Sequence, residues 1–169
     1  MKQFAFLLLL SILLIISTSC SGPAYKSIEE AISYYESSDN FAVFHTAEVT
    51  HGEIAFYERF TQQDIAVAFI SMNGRTYNIY GIGGYLSQDD EAPEWHYSSR
   101  EIANKAYSIY FGRLPERPAE KMSIRFNKLG VVKEASLTQA SSSFVWFVVF
   151  DERTEDLDIS VLFGEERVT

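Results

Sequence analysis

The chain has 169 residues and a formal net charge of −9, with 14 Lys and Arg set against 23 Asp and Glu. That balance argues against a surface that neutralises phosphates, and so against nucleic acid as a partner. It also argues against a domain held on anionic lipid by its own basic face. One cysteine excludes an intramolecular disulfide, leaving 13 Phe and 10 Tyr to stabilise the fold by packing.

Lys2 gives the N-terminus a positive charge, and the apolar run 4–16 (FAFLLLLSILLII) leads through Ser17, Thr18 and Ser19 to Cys20. This is the layout of a signal peptide over 1–19. The run is shorter than the roughly 17–25 residues that a membrane-crossing helix needs. Cys20 stands where a bacterial lipoprotein precursor is cleaved and acylated, and the segment resembles a lipobox. Through this signal and Cys20 alone, the chain resembles the small bacterial cell-envelope lipoproteins. The resemblance implies lipidation at Cys20, with acyl chains that hold the membrane at about 0.8 kcal/mol per buried methylene. It also implies a place on the extracytoplasmic face of the cell membrane. Ser21, where Asp would signal retention, points to the outer membrane in a two-membrane cell. Ser17 departs from the pattern, which carries Leu three residues before the cysteine. Small residues at Ser17 and Ser19 also suit a signal peptidase that leaves a soluble exported protein.

Residues 20–26 (CSGPAYK) read as the lipidated N-terminus and a short tether with a Gly-Pro break, and 27–169 as one globular domain. Ser27 followed by Glu30 is a capping box. Ile28, Ala31, Ile32 and Tyr35 recur on one face, which predicts a helix over 27–36. Strands are predicted at 41–49, 53–59, 64–70 and 75–80, with turns at His51-Gly52 and at Asn73-Gly74, the latter of type I′. The pattern is an antiparallel meander. Residues 81–95 read as an exposed loop. A second helix is predicted from Ser98 or Ser99 to Tyr110, with Ile102, Ala106 and Ile109 as its apolar set. Strands follow at 121–127, 131–138, 144–151 and 157–163. FVWFVVF at 144–150 is continuously apolar, as a central strand buried on both faces would be.

The segments 56–69 (FYERFTQQDIAVAF) and 150–163 (FDERTEDLDISVLF) agree at seven of fourteen positions. Two readings fit: an ancient duplication of a helix-plus-meander unit, with halves 27–84 and 98–163, or the recurrence of strand, polar turn and strand that antiparallel proteins show. The expected fold class is α+β, antiparallel sheet meanders with two short helices.

His45, His51 and His96 lack the spacing of a metal site, and no metal or cofactor is expected. Gly81, Gly83 and Gly84 do not form GxGxxG and indicate close backbone packing or a bend. The paired acids adjoin turns, where they face solvent. No catalytic residue stands out. The candidate interaction patch is Trp95, His96 and Tyr97 with Tyr85 and Tyr80, because Tyr and Trp combine contact area with a hydrogen-bonding group. The expected function is an exported, lipid-anchored, non-catalytic binding or interaction module. Its partners would be the membrane, through the N-terminal lipid, and an envelope protein or glycan. The alternatives are an envelope hydrolase and a structural lipoprotein without a small-molecule ligand.

Overall fold

The computed structural model describes residues 23–87 and 95–164. The signal segment 1–19, Cys20 and the first part of the tether lie outside the described residues. The chain is α+β, built among the described residues from antiparallel meanders and one short helix.

Helix α1 (Ile28–Glu36) begins as its sequence directs: the Ser27 side chain accepts the Glu30 N–H at 3.1 Å. The Glu30 carboxylate reaches back to the Lys26 N–H at 2.7 Å. Ser37 closes the helix in the left-handed region, at φ 52°. So short a helix needs tertiary support, which sheet A provides with β1 (Phe41–Val49), β2 (Gly52–Arg59), β3 (Asp64–Asn73) and β4 (Thr76–Ser87) paired in chain order. Alternation on β2 and β3 divides the residues by size. Ile54, Phe56, Ile65, Val67 and Phe69 point away from the helix. Ala55, Ala66 and Ala68 lie beneath it and make a shallow seat for Ile32. Tyr25 is buried and bridges Tyr77 through two backbone hydrogen bonds of 2.8 and 3.0 Å, so the folded region begins within the expected tether.

The β3–β4 turn consists of Gly74 and Arg75, one residue beyond the expected Asn73-Gly74 pair. Only Gly74 takes a positive φ, 65°, so the turn is not type I′. Residues 81–87 are strand rather than loop. Two register shifts against β3 leave Tyr80 and Gly84 as extra residues on β4, and such bulges erase the period of two by which a strand is recognised.

The second helix is absent. β5 (Trp95–Ile102) and β6 (Lys105–Leu114) form a hairpin in its place. Ala103 and Asn104 turn it with φ of 49° and 68°, both positive as a type I′ turn requires. Tyr107, Ile109 and Phe111 alternate onto one face, and the helical spacing of Ile102, Ala106 and Ile109 was coincident with that alternation.

Sheet B runs β5-β6-β10-β9 and sheet C runs β11-β7-β8, with β7 (Met122–Phe126), β8 (Val131–Glu134), β9 (Ser136–Gln139), β10 (Phe144–Phe150) and β11 (Ile159–Phe163). The single strand expected over 131–138 breaks at buried Ala135 and passes from sheet C to sheet B. β10 is central, as its composition indicates. The matched segments 56–69 and 150–163 do not correspond. The first is the β2–β3 hairpin, whereas the second leaves β10 in sheet B for β11 in sheet C. With a hairpin in place of the expected helix at 98–110, no helix-plus-meander unit is repeated among the described residues.

The layers therefore run α1, sheet A, sheet B, sheet C. Sheets A and B meet through Phe56, Val67, Phe69, Ile109, Phe111, Val145 and Phe147. Sheets B and C meet through Tyr110, Met122, Ile124, Phe126, Trp146 and Phe150. At one side of the A/B sandwich, β4 closes on β5 and β6. A Cβ on Gly84 would come within 2.6 Å of the Phe111 ring and 2.7 Å of the His96 ring. The glycines thus serve close packing. Among the described residues no helix is long and apolar enough to cross a membrane.

Candidate functional site

The aromatic patch expected from sequence is not assembled on one surface. Along β5, Trp95 and Tyr97 turn toward sheet C, with ring centroids 6.3 and 4.9 Å from Tyr110. His96, of opposite parity, lies beside Gly84, its ring 5.9 Å from Phe111. Tyr85 lies under the Arg59 guanidinium, 4.0 Å from its ring centre. Tyr80 is half exposed at the end of the sandwich. A strand's period of two separates the consecutive residues, and the β4 bulges separate the two tyrosines.

Tyr80 instead belongs to a cavity of about 680 Å³ at the end of sheet A. Chain reversals build it. The β1–β2 turn supplies Thr50 and His51, the end of β3 supplies Ser71, Met72 and Asn73, β4 supplies Asn78 and Tyr80, and the β5–β6 turn supplies Ala103. Glu48 and Glu53 border it from opposite strands, paired directly across β1 and β2. Gly52 permits the close approach at its floor, since a Cβ there would collide with the Ile70 carbonyl. The lining holds carboxylates, amides, hydroxyls, an imidazole and a phenol, and no Lys or Arg. Its volume lies within the usual range for small-ligand sites, which favour the mouths of β-barrels and similar concavities. Sequence reading found Tyr80 but missed the cavity, because its walls come from three turns far apart in the chain.

Two smaller clefts flank the sandwich. One of about 590 Å³ lies between β1 and the β8–β10 region, with His45, Glu48, Lys133 and Phe147 on its walls. The other, of about 370 Å³, holds His96, Arg100, Arg153 and Glu155 beside Gly83 and Gly84. Burial lowers the pKa of both His45 and His96. The His45 ring lies 5.7 Å from Phe56 and 5.2 Å from Phe147.

The densest charged network is structural. Arg59 grips Asp64 through two hydrogen bonds of 2.6 and 2.7 Å and reaches Glu36 of α1 at 3.1 Å, while the Tyr57 hydroxyl donates to Glu36 at 2.6 Å. Hydrogen bonding to Asp64 raises the Arg59 pKa against the opposing effect of burial. Burial, followed by the Glu36 carboxylate, raises that of Tyr57. The network ties the helix C-terminus to sheet A. Among the described residues, no group of three His, Cys, Asp or Glu could hold a metal ion. Comparison with protein-family models, curated proteins and solved structures finds no match.

Proposed function

We propose that the chain is an exported, lipid-anchored binding module on the extracytoplasmic face of the cell envelope, with the end cavity as its ligand site. The single observation that carries the binding reading is that cavity. Three turns converge on it, and it offers amides, hydroxyls, carboxylates and the half-exposed Tyr80 ring to a polar ligand. The anchoring part rests on the signal layout and Cys20. An acylated Cys20 leaves the folded region free of any membrane-binding role. A hydrolase would use a nucleophile bonded to a base that is itself oriented by an acid. Ser71, His51 and Glu53 share the cavity, but no hydrogen bond joins them among the described residues.

Intact mass of the chain from its native membrane fraction tests the anchor. Acyl mass on Cys20, and loss of membrane retention in Cys20→Ala, are expected. An unacylated chain with an unchanged soluble distribution would overturn it. Titration of the isotope-labelled chain with soluble envelope extract tests the module. Amide shifts are expected at Ser71, Asn73, Asn78 and Tyr80, and shifts elsewhere or nowhere would remove the cavity as the site.

A further inference from the structure

Strand β10 is paired unequally on its two sides. β6 follows it over all seven residues, Phe144–Phe150, whereas β9 follows it only from Phe144 to Phe147. At Ala135 the chain bends from sheet C to sheet B, with the Ala135 N–H held by the Met122 carbonyl at 2.9 Å, and among the described residues no strand continues β9 beside 148–150. Strand parity decides which backbone groups this leaves. The two-residue β5–β6 turn makes Ile102 and Lys105 a hydrogen-bonded pair, and the alternation of antiparallel ladders, carried across β6, turns the N–H and C=O groups of Trp146, Val148 and Phe150 toward β6. Those of Val145, Phe147 and Val149 point the other way. Thr138 and Ser136 lie opposite the first two. Val149 has no strand residue opposite it there, and no turn or loop backbone hydrogen bond reaches it among the described residues.

A second observation falls at the same place. The cleft of about 590 Å³ runs along Val148 and Val149, with His45 and Ala47 from sheet A and Lys133 from sheet C on its walls. Lys133 places its ammonium 4.1 Å from the Phe150 ring centre and has no ion pair among the described residues. We propose that this cleft takes a short extended peptide segment of a partner protein, added as a strand against Val149 in the place that β9 vacates. Three residues of strand are about 10 Å long, the length of the stretch left open. One peptide residue exchanges both backbone hydrogen bonds with Val149, and its side chain points as Val149 does, toward Ala47 at the A/B interface, which suits an aliphatic group. Its neighbours point toward sheet C, where a carboxylate meets Lys133. Glu48 and Glu134 also border the cleft, Glu134 paired with Lys121 at 3.5 Å, so one acid on the peptide is favoured over several. Strand addition draws affinity from the main chain and specificity from alternate side chains. This surface adds to the end cavity and does not depend on it as a ligand site.

The test is NMR titration of the isotope-labelled chain with the capped peptide acetyl-TEVTT-amide. The Val149 N–H is expected to shift downfield and to exchange more slowly. N-methylation of the peptide valine removes the donor to the Val149 carbonyl and is expected to weaken binding about tenfold, the order of one hydrogen bond. Lys133→Glu is expected to weaken it about fivefold. Recovery of binding with acetyl-TKVTT-amide is expected, which also shows that the variant is folded. No shift at Val149 at millimolar peptide, or equal binding of the N-methylated peptide, would overturn the proposal. Concentration-dependent dimers in sedimentation, with Val149 exchange slowed in the absence of peptide, would make a second copy the occupant and overturn the assignment to a partner.

Discussion

Sheet B is covered on both faces, and the two interfaces are held by different means. Toward sheet A, apolar side chains interlock, with Phe56 at the centre of rings from Phe44, Phe111 and Phe147. Toward sheet C, an apolar cluster is crossed by a polar chain. The Tyr110 hydroxyl accepts the Asp156 N–H at 2.8 Å and donates to the Thr154 carbonyl at 3.2 Å, and the Thr154 N–H donates to the Ser108 hydroxyl at 2.9 Å. Fully buried Asp156 then accepts the N–H groups of Lys128, Leu129 and Asp158 at 2.8, 3.1 and 3.0 Å. The contrast has a physical reason. The strands of sheet C are only four or five residues long, so they bury little apolar area, and directed hydrogen bonds fix the β7–β8 turn and the β10–β11 connection. Sheet A, with strands of eight to twelve residues, is held by volume.

The largest effect is expected where volume alone acts. Phe56→Ala removes a fully buried ring from the A/B interface and should destabilise the chain by about 3–5 kcal/mol in urea unfolding. A loss below about 1 kcal/mol would mean that the interface repacks freely and that the contrast is wrong.

Asp156→Asn probes the other face and should lower Tm by roughly 10 °C. An amide matches the carboxylate in shape, but it turns a donor toward backbone donors. Burial pushes the Asp156 pKa up, yet the three N–H donors and Lys128 outweigh it, so the net shift is downward. A lowered folded-state value gives stability that is complete above the unfolded value, about 4, and is lost as pH falls through the folded one. The gap between parent and variant should therefore narrow below about pH 4. A gap that stays constant with pH would assign the loss to packing instead. Hydrogen exchange should quicken first at Lys128 and Leu129 if the polar chain holds sheet C as described.

The two interfaces also differ in how far the sequence discloses them. Alternation of large and small residues at 54–57 and 65–70 already carries the A/B contacts, and the unbroken run at 144–150 marks the strand shared by both interfaces. The Ser27–Glu30 cap is equally local. Asp156 is not legible, since in the sequence it is one acid in an acidic run, and its role depends on donors 27 and 28 residues away. The β5–β6 hairpin was hidden because Ile109 satisfies both the helical and the strand period, with serines in front that imitate a cap. Tertiary pairing with β10 decides between the two. The candidate cavity was hidden for the same kind of reason. Glu48 and Glu53 are close in sequence, but Ser71, Asn78 and Ala103 join them only once the turns of two sheets come together.

The smallest effect concerns the imidazole placed against Phe56 and Phe147 of the A/B interface. His45 touches Phe56 and Phe147, and burial lowers its pKa. Between that lowered value and the ordinary one near 6.5, the unfolded chain binds more protons than the folded one, so stability falls as pH drops through the ordinary value toward the lowered one. Glu48 and Glu134 border the same cleft and temper the charge that His45 acquires, while Lys133 opposes it. His96, at the opposite seam, has a pKa lowered by the same cause and contributes a parallel slope. Thermal unfolding at successive pH values should show His45→Gln reducing the slope and the double variant with His96→Gln nearly flattening it, each by less than the two substitutions above. A slope unchanged in the double variant would place the acid sensitivity outside the A/B interface and shift attention to the carboxylates facing sheet C.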